Sequence, residues 1–168
     1  ISEKGFSKKI KIHTFSNVTL INQNHMDILN NYKGGNFKAS IDAFGEELYY
    51  VRYPTKWNQV LRGLDLLKNL HEGWRVSVKI TISLYNIYNI DNLLDYLSSN
   101  YTNFGIEFSC INSPKFMRPE LLPEKLKRVV VKKLENFSNN ARCIPVAKQL
   151  IALMETSEGE LADRSRMS

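Results

Sequence analysis

Short strand patterns alternate with helical patterns along the chain. Residues 75–84 alternate polar and apolar side chains and are rich in β-branched residues, which predicts a half-buried strand. Between Trp57 and Leu70 the apolar residues recur at intervals of three and four, which predicts a helix with one buried face. Weaker strand patterns cover residues 9–15, 37–42 and 105–111, and helical patterns cover residues 24–32, 91–97, 126–137 and 141–155.

This alternation predicts an α/β fold. Strands separated by helices form parallel βα units with right-handed crossovers. We therefore expect about four parallel strands in a curved sheet, with the helices on its outer face. An intact doubly wound domain and part of a (β/α) barrel share this pattern, and periodicity alone does not separate them.

A few residues set the predicted boundaries of these elements. The Lys-Gly-Gly-Asn run at 33–36 should end the first helix before the next strand begins. Pro54 suits the first turn of the long helix, and Asp91 should cap the helix that follows it. Pro145 should interrupt the last helix.

The composition is that of a globular chain without a membrane span. Its 168 residues are 43% hydrophobic and 24% charged, which suits one domain with a real core. The apolar runs are only a few residues long, and the Lys-rich start lacks the apolar core of a signal peptide. Because the chain begins with Ile1 rather than Met, we interpret it as a fragment or a processed piece.

The two cysteines, Cys110 and Cys143, have the spacing of neither a disulfide framework nor a metal site. The three histidines are scattered and show no ligand spacing either. We therefore predict no metal ligand in this chain and a cytoplasmic location, where thiols stay reduced.

The segment from Phe37 to Arg52 carries the most chemistry. Ser40 and Asp42 lie two residues apart at the end of a predicted strand, so their side chains share a face. A hydroxyl and a carboxylate there can bind ribose hydroxyls or an amino group, whereas Asp42 could instead cap the next helix. Arg52 offers a planar fork for a carboxylate; its alternative is a surface ion pair with Glu46 or Glu47.

The same segment resembles the fourth strand and following helix of radical S-adenosylmethionine (SAM) enzymes. The resemblance rests on Ser40-Ile-Asp42-Ala, Gly45-Glu46 and Tyr49-Tyr-Val-Arg52, and continues through Pro54-x-x-Trp57 and Thr81-Ile-Ser83-x-Tyr85-Asn86. Upstream, Ser16-Asn17-Val18-Thr19 is similar to the Thr-Asn-Gly-Thr that follows the family's third strand, with Val18 in place of the glycine. The downstream pieces resemble members of the twitch type, which are related to SPASM proteins.

The resemblance implies a fragment from the middle of the barrel, the third to sixth strands. Residues 1–137 would form this partial barrel, and residues 138–168 a C-terminal helix and polar tail. In the family, polar residues at these strand ends contact SAM. Carried onto this sequence, the implied cofactor-binding residues are Ser40, Asp42, Arg52, Ser83 and Asn17.

The family's chemistry starts at a [4Fe–4S] cluster, from which one electron cleaves bound SAM to a 5′-deoxyadenosyl radical. The Cys-x-x-x-Cys-x-x-Cys loop that holds the cluster is absent from this sequence. We therefore expect the complete enzyme, but not this chain, to ligate the cluster, and we assign no catalytic residue here. The complete enzyme would use an electron donor and act on an unknown substrate, a peptide or a small molecule.

The formal charge of +6 supports a second reading, a non-enzymatic α/β module that binds phosphate or nucleic acid. The basic residues are spread along the chain, and no known nucleic-acid motif is present, so a nucleic-acid partner is disfavoured. A hydrolase fragment has less support, because the sequence contains no Gly-x-Ser-x-Gly, P-loop or dinucleotide glycine pattern.

Overall fold

The computed structural model describes residues 5–136 and 143–155. They form two compact units. One contains the described residues up to Thr81 together with Tyr101–Ser109, and the other contains Ile82–Asn100 and the described residues from Cys110 onward. The predicted boundary between residues 137 and 138 lies outside the described residues.

A sheet of four parallel strands confirms the predicted α/β fold class. The strands lie in chain order, β1-β2-β3-β4, so β1 is an edge. The sheet comprises β1 (Lys11–Ser16), β2 (Gly34–Ser40), β3 (Trp74–Ile82) and β4 (Gly105–Cys110). Helices connect the first three strands within the first unit: α1 (Gln23–Asn30), α2 (Glu47–Val51) and α3 (Trp57–Leu67), and a 3₁₀ turn, Phe6–Lys9, precedes β1.

The strands of the sheet have one apolar face and one polar face. In β2, Phe37 and Ala39 are buried, whereas Lys38 and Ser40 between them are partly exposed. In β3 the buried residues include Val78, Ile80 and Ile82, and Lys79 and Thr81 alternate with them. The register places Ser40 opposite Lys79, so the polar positions of neighbouring strands align.

Two glycines that were expected to precede the second strand are its first residues. Gly34 and Gly35 have φ angles of +123° and +147°, which glycine tolerates. A Cβ on Gly34 would lie 2.0 Å from the Gly73 carbonyl oxygen, and one on Gly35 would lie 1.8 Å from that of Ile12. The first helix ends before this run, as predicted, but β2 begins at Gly34 rather than at Phe37, because these glycines allow close backbone approach inside the sheet.

Helix starts also differ from the predictions. The long helix α3 begins at Trp57, after a turn, so Pro54 is not in its first turn. A 3₁₀ turn, Ile87–Asn89, leads directly into α4, so Asp91 lies in the helix's first turn and is not its cap. Pro145 lies in the first turn of α6 and does not interrupt it, because a first-turn proline lacks only an N–H that has no helical partner.

The second unit is built from helices. These are α4 (Ile90–Asn100), α5 (Glu124–Asn136) and α6 (Ile144–Glu155), with 3₁₀ turns at Lys115–Met117 and Pro119–Leu121 within the predicted proline-rich loop. Helices α5 and α6 pack against each other. Buried side chains of these helices include Leu93, Leu94, Leu97, Val130, Leu134 and Leu150. In the described part of the chain, the helices are all too short or too polar to cross a membrane.

Candidate functional site

The structure brings Ser40, Asp42 and Arg52 together at the carboxyl end of β2. Arg52 Nε donates to Asp42 Oδ2 at 2.5 Å, and Arg52 Nη2 donates to Ser40 Oγ at 2.9 Å. One guanidinium thus contacts both polar side chains that the sequence placed on one face. The Arg52 side chain is 31% exposed and that of Asp42 is 8% exposed, so the cluster opens to solvent on the arginine side.

Asp42 also ties β2 to β3. Its Oδ1 accepts a hydrogen bond from the Thr81 backbone N–H at 2.7 Å. The alternative role of Asp42 as a helix cap is wrong, because the N-cap of α2 is Glu46. The alternative ion pair of Arg52 with Glu46 or Glu47 is also wrong, because Arg52 pairs with Asp42. A buried carboxylate held by an arginine and a backbone N–H is fixed in orientation.

The short helix α2 determines where Arg52 lies. The chain turns at Gly45, which has a φ of +60°, and α2 is held by Leu48, which is fully buried. Arg52 follows as the C-cap, with its N–H donating to the Leu48 carbonyl oxygen at 2.8 Å. The helix is therefore short enough for its C-cap, Arg52, to reach back to the end of β2.

Aromatic side chains surround the start of α3. Tyr49 packs edge-on against Tyr53, and Phe44 packs edge-on against Trp57, with ring centroids 5.1 Å apart in both pairs. A cleft of about 460 Å³ lies here, lined by Gly45, Glu46, Tyr49, Lys56, Trp57 and Asn58. Residues before and after Arg52 in the sequence thus line a concave, partly apolar surface. Such a surface is the usual setting for a small ligand.

Asn17 lies at the same end of the sheet, in the turn after β1. Its Oδ1 accepts hydrogen bonds from the Thr19 N–H and hydroxyl at 3.3 and 3.0 Å, so this oxygen stabilises the turn. Val18 in this turn has a φ of +61°, the left-handed conformation that favours glycine. Val18, which stands where the resembled turn has a glycine, therefore has a backbone conformation that favours glycine.

The strained valine is held by close packing. Val18 is fully buried, and a Cβ added to Gly63 of α3 would lie only 2.2 Å from the Val18 carbonyl oxygen. Ser16 Oγ also accepts from the Val18 N–H at 3.0 Å. Contacts on both sides therefore stabilise a conformation that a valine rarely adopts.

Ser83 belongs to the second unit and makes local contacts there. It is buried, and its N–H donates to Asn86 Oδ1 at 2.8 Å. Ser83 Oγ accepts from the Tyr85 N–H at 3.3 Å. The arrangement is a turn in which the Asn86 side chain takes part.

Sequence reasoning missed a second polar cluster, on the same face of the sheet. Glu107 of β4 accepts from Lys38 Nζ at 2.6 Å and from Ser77 Oγ at 2.9 Å. The hydrogen bond from Lys38 is the main cause that lowers the pKa of Glu107 below its usual 4.5, against partial desolvation. The alternation of polar residues along β2 and β3 indicated a polar face of the sheet. No pattern in the sequence indicated that Glu107 of β4 would pair with Lys38 and Ser77 on this face.

The two cysteines do not resemble thiolate ligands. Cys110 is half-buried, and burial, with a smaller contribution from Glu120, raises its thiol pKa to about 11. Cys143 is fully buried, and its Sγ lies 3.9 Å from the Leu94 carbonyl oxygen. Within residues 5–136 and 143–155, no three His, Cys, Asp or Glu side chains are grouped as they would be around a metal ion.

The cluster at the end of β2 presents a guanidinium, a hydroxyl and a carboxylate. A guanidinium can bind a carboxylate, and the oxygens of Ser40 and Asp42 can accept hydrogen bonds from an ammonium or from hydroxyl groups. No protein-family model matches the chain, and neither does any curated protein.

Proposed function

We propose that this chain is the SAM-binding part of a radical SAM enzyme of the twitch type. The observation that carries the proposal is the cluster of Ser40, Asp42 and Arg52, which joins three polar side chains at the carboxyl end of a parallel strand. This end of parallel strands is where α/β proteins build ligand sites. The left-handed turn at Val18 also supports the resemblance, because its backbone conformation favours glycine, the residue that the resembled family has at this position.

In this proposal each residue has a distinct role. Arg52 binds the carboxylate of the ligand, while Asp42 holds the guanidinium in place and Ser40 fixes its second nitrogen. Asn17 and Ser83 are the further proposed contacts. When bound to the complete enzyme, SAM would supply a 5′-deoxyadenosyl radical for hydrogen abstraction from a peptide or small molecule in the cytoplasm. The [4Fe–4S] cluster and the site of the electron donor would lie outside this chain.

Nuclear magnetic resonance of the ¹⁵N-labelled chain tests the proposal, because it detects millimolar binding residue by residue. Titration with SAM should shift the resonances of Ser40, Asp42 and Arg52. Arg52→Ala should remove these shifts, whereas Arg62→Ala, a matched loss of an exposed arginine on α3, should leave them unchanged.

Two results would contradict the proposal. One is an absence of shifts at the end of β2 in the parent chain at saturating SAM. The other is an equal response in Arg52→Ala and the parent. In either case the pair of Asp42 and Arg52 would be a structural link between β2 and α2.

A further inference from the structure

Two opposite charges line the cleft at the starts of α2 and α3. Glu46 directly precedes α2 and Lys56 directly precedes α3, and both residues are exposed. Both line the cleft of about 460 Å³. Among the residues that the structure describes, the two form no ion pair with each other or with a third residue. A small ligand that carries both an ammonium and a carboxylate can therefore pair with each of them.

Two aromatic rings form the apolar part of the same cleft. Tyr49 and Trp57 line it, with Tyr49 43% exposed and Trp57 half-buried. Each ring is held by an edge-on neighbour, Tyr53 for Tyr49 and Phe44 for Trp57. The face of an aromatic ring attracts a cation, and a methylated ammonium suits such rings because its weakly hydrated methyl groups contact them directly. The Glu46 carboxylate on the same cleft adds to this attraction.

The remaining lining suits the anionic end of such a ligand. Asn58 is exposed, and its amide offers an N–H donor on the same cleft as Lys56. Gly45 has no side chain to narrow the cleft, and a Cβ built on it would meet no atom within 4 Å, so the cleft is open at this point. The volume of the cleft is within the range of about 300–1,000 Å³ that is typical of small-ligand pockets.

We propose that this cleft binds a small zwitterion with a methylated ammonium at one end and a carboxylate at the other. Tyr49, Trp57 and Glu46 contact the ammonium, whereas Lys56 and Asn58 bind the carboxylate. The site shares no residue with the cluster at the end of β2, so it does not rest on the proposed function.

Nuclear magnetic resonance titration of the ¹⁵N-labelled chain with glycine betaine (trimethylglycine) tests the site. Saturable shifts are expected at Tyr49, Asn58 and the indole N–H of Trp57. The indole N–H of Trp74 should not shift, because Trp74 is buried at the start of β3 and does not line the cleft. It therefore serves as an internal control.

Two further ligands separate the contributions of the two ends. Choline keeps the quaternary ammonium but has no carboxylate, and it should bind about two- to fivefold more weakly, the loss expected for one exposed ion pair. The anion of tert-butylacetic acid has the shape of glycine betaine with carbon in place of the charged nitrogen. It should bind about two- to thirtyfold more weakly, because it lacks the attraction of a cation to the rings.

Variants of the lining should respond differently to these ligands. Glu46→Gln should weaken the binding of both glycine betaine and choline, and it removes no capping hydrogen bond, since the Glu46 side chain makes none. Lys56→Gln should weaken the binding of glycine betaine alone. Tyr49→Leu should weaken both cationic ligands at least about twofold. Tyr50→Leu removes a 73% exposed tyrosine of the same helix that does not line the cleft, and it should leave both affinities unchanged.

Four results would overturn the inference: no saturable shift at the cleft with glycine betaine, equal affinity for glycine betaine and the anion of tert-butylacetic acid, equal affinity for glycine betaine and choline, or equal losses in Tyr49→Leu and Tyr50→Leu. The second would mean that the cleft is only an apolar groove, and the third that it takes a cation without a carboxylate. SAM titrations report on Ser40 and Arg52 instead, so either proposal can fail while the other stands.

Discussion

Asp42 and Arg52 form an ion pair, with 2.5 Å between Oδ2 and Nε, that links the end of β2 to the C-cap of α2. The same carboxylate accepts from the Thr81 N–H, so one side chain connects two strands and a helix. This arrangement makes the two residues interdependent, both for folding and for any ligand they bind.

Asp42→Asn and Arg52→Ala should therefore not have additive effects. Each should weaken SAM binding about ten- to a hundredfold, because a charged hydrogen-bond partner contributes roughly 1.5–3 kcal/mol. The double variant should lose less than the sum, with a coupling energy of about 1–2 kcal/mol, since removing one partner already releases the other. The coupling energy is obtained from the SAM affinities of the parent, the two single variants and the double variant. Asp95→Asn, at an exposed position of α4, is the matched control, and strict additivity would mean that the two residues act independently.

The turn after β1 gives a prediction about stability. Val18→Gly should relieve about 1–2 kcal/mol of left-handed strain. It should also lose about 1.5–3 kcal/mol of side-chain burial and about 0.5–1 kcal/mol to glycine's greater unfolded-state freedom. We expect a net loss of about 1–2 kcal/mol in urea unfolding. A variant more stable than the parent would show that strain outweighs packing at this site.

Gly63 tests the same contact from the opposite side. Gly63→Ala should be destabilised by about 1–3 kcal/mol, because the new Cβ would lie 2.2 Å from the Val18 carbonyl oxygen. Val18→Gly should not rescue it, since the closest clash is with backbone. Rescue in the double variant would instead place the conflict with the Val18 side chain, which the structure puts at 2.9 Å.

The sequence predicted those parts of the fold that depend on local patterns. The alternation at 75–84 gave β3, and the spacing from Trp57 gave α3, because each strand or helix buries one face of its own. The contact between Arg52 and Asp42 could also have been predicted, since only ten residues separate them in the sequence. By contrast, the role of Gly35 depends on the Ile12 carbonyl oxygen of another strand, and Glu107 lies 69 residues from Lys38. Such contacts depend on strand register, which no local pattern contains.

The Lys38–Glu107 pair predicts a pH dependence of stability. The folded-state pKa of Glu107 is lowered, so its contribution should be fully present above its usual pKa of 4.5. It should be lost as the pH falls through the lower folded-state value. Urea midpoints measured across this range should fall less steeply for Glu107→Gln than for the parent. Parallel curves for the two proteins would mean that the pair contributes nothing to stability.

The purified chain should form no [4Fe–4S] cluster on anaerobic reconstitution with iron and sulfide. The motivation is the missing cysteine loop, together with a Cys110 thiol that burial keeps protonated at neutral pH. Ultraviolet–visible and electron paramagnetic resonance spectra give the readout. A stoichiometric cluster signal that persists in Cys110→Ala and Cys143→Ala would reveal other ligands and refute the expectation that this chain does not ligate the cluster.

The edge strand β1 should drive self-association. Its outer side adjoins an apolar groove of about 310 Å³, and Phe15, Leu20 and Ile28 there are 68%, 80% and 57% exposed. An open strand edge beside exposed apolar side chains favours pairing with a second copy. Sedimentation velocity should therefore show association that increases with concentration.

Leu20→Glu and Ile28→Glu should shift the chain toward monomer without lowering its unfolding temperature, because both side chains lie largely in solvent. Asn100→Glu, at an exposed helix end in the other unit, adds the same charge and should leave association unchanged. A parent chain that stays monomeric at high concentration would show that this edge does not mediate self-association and that the four strands suffice for a self-contained fold.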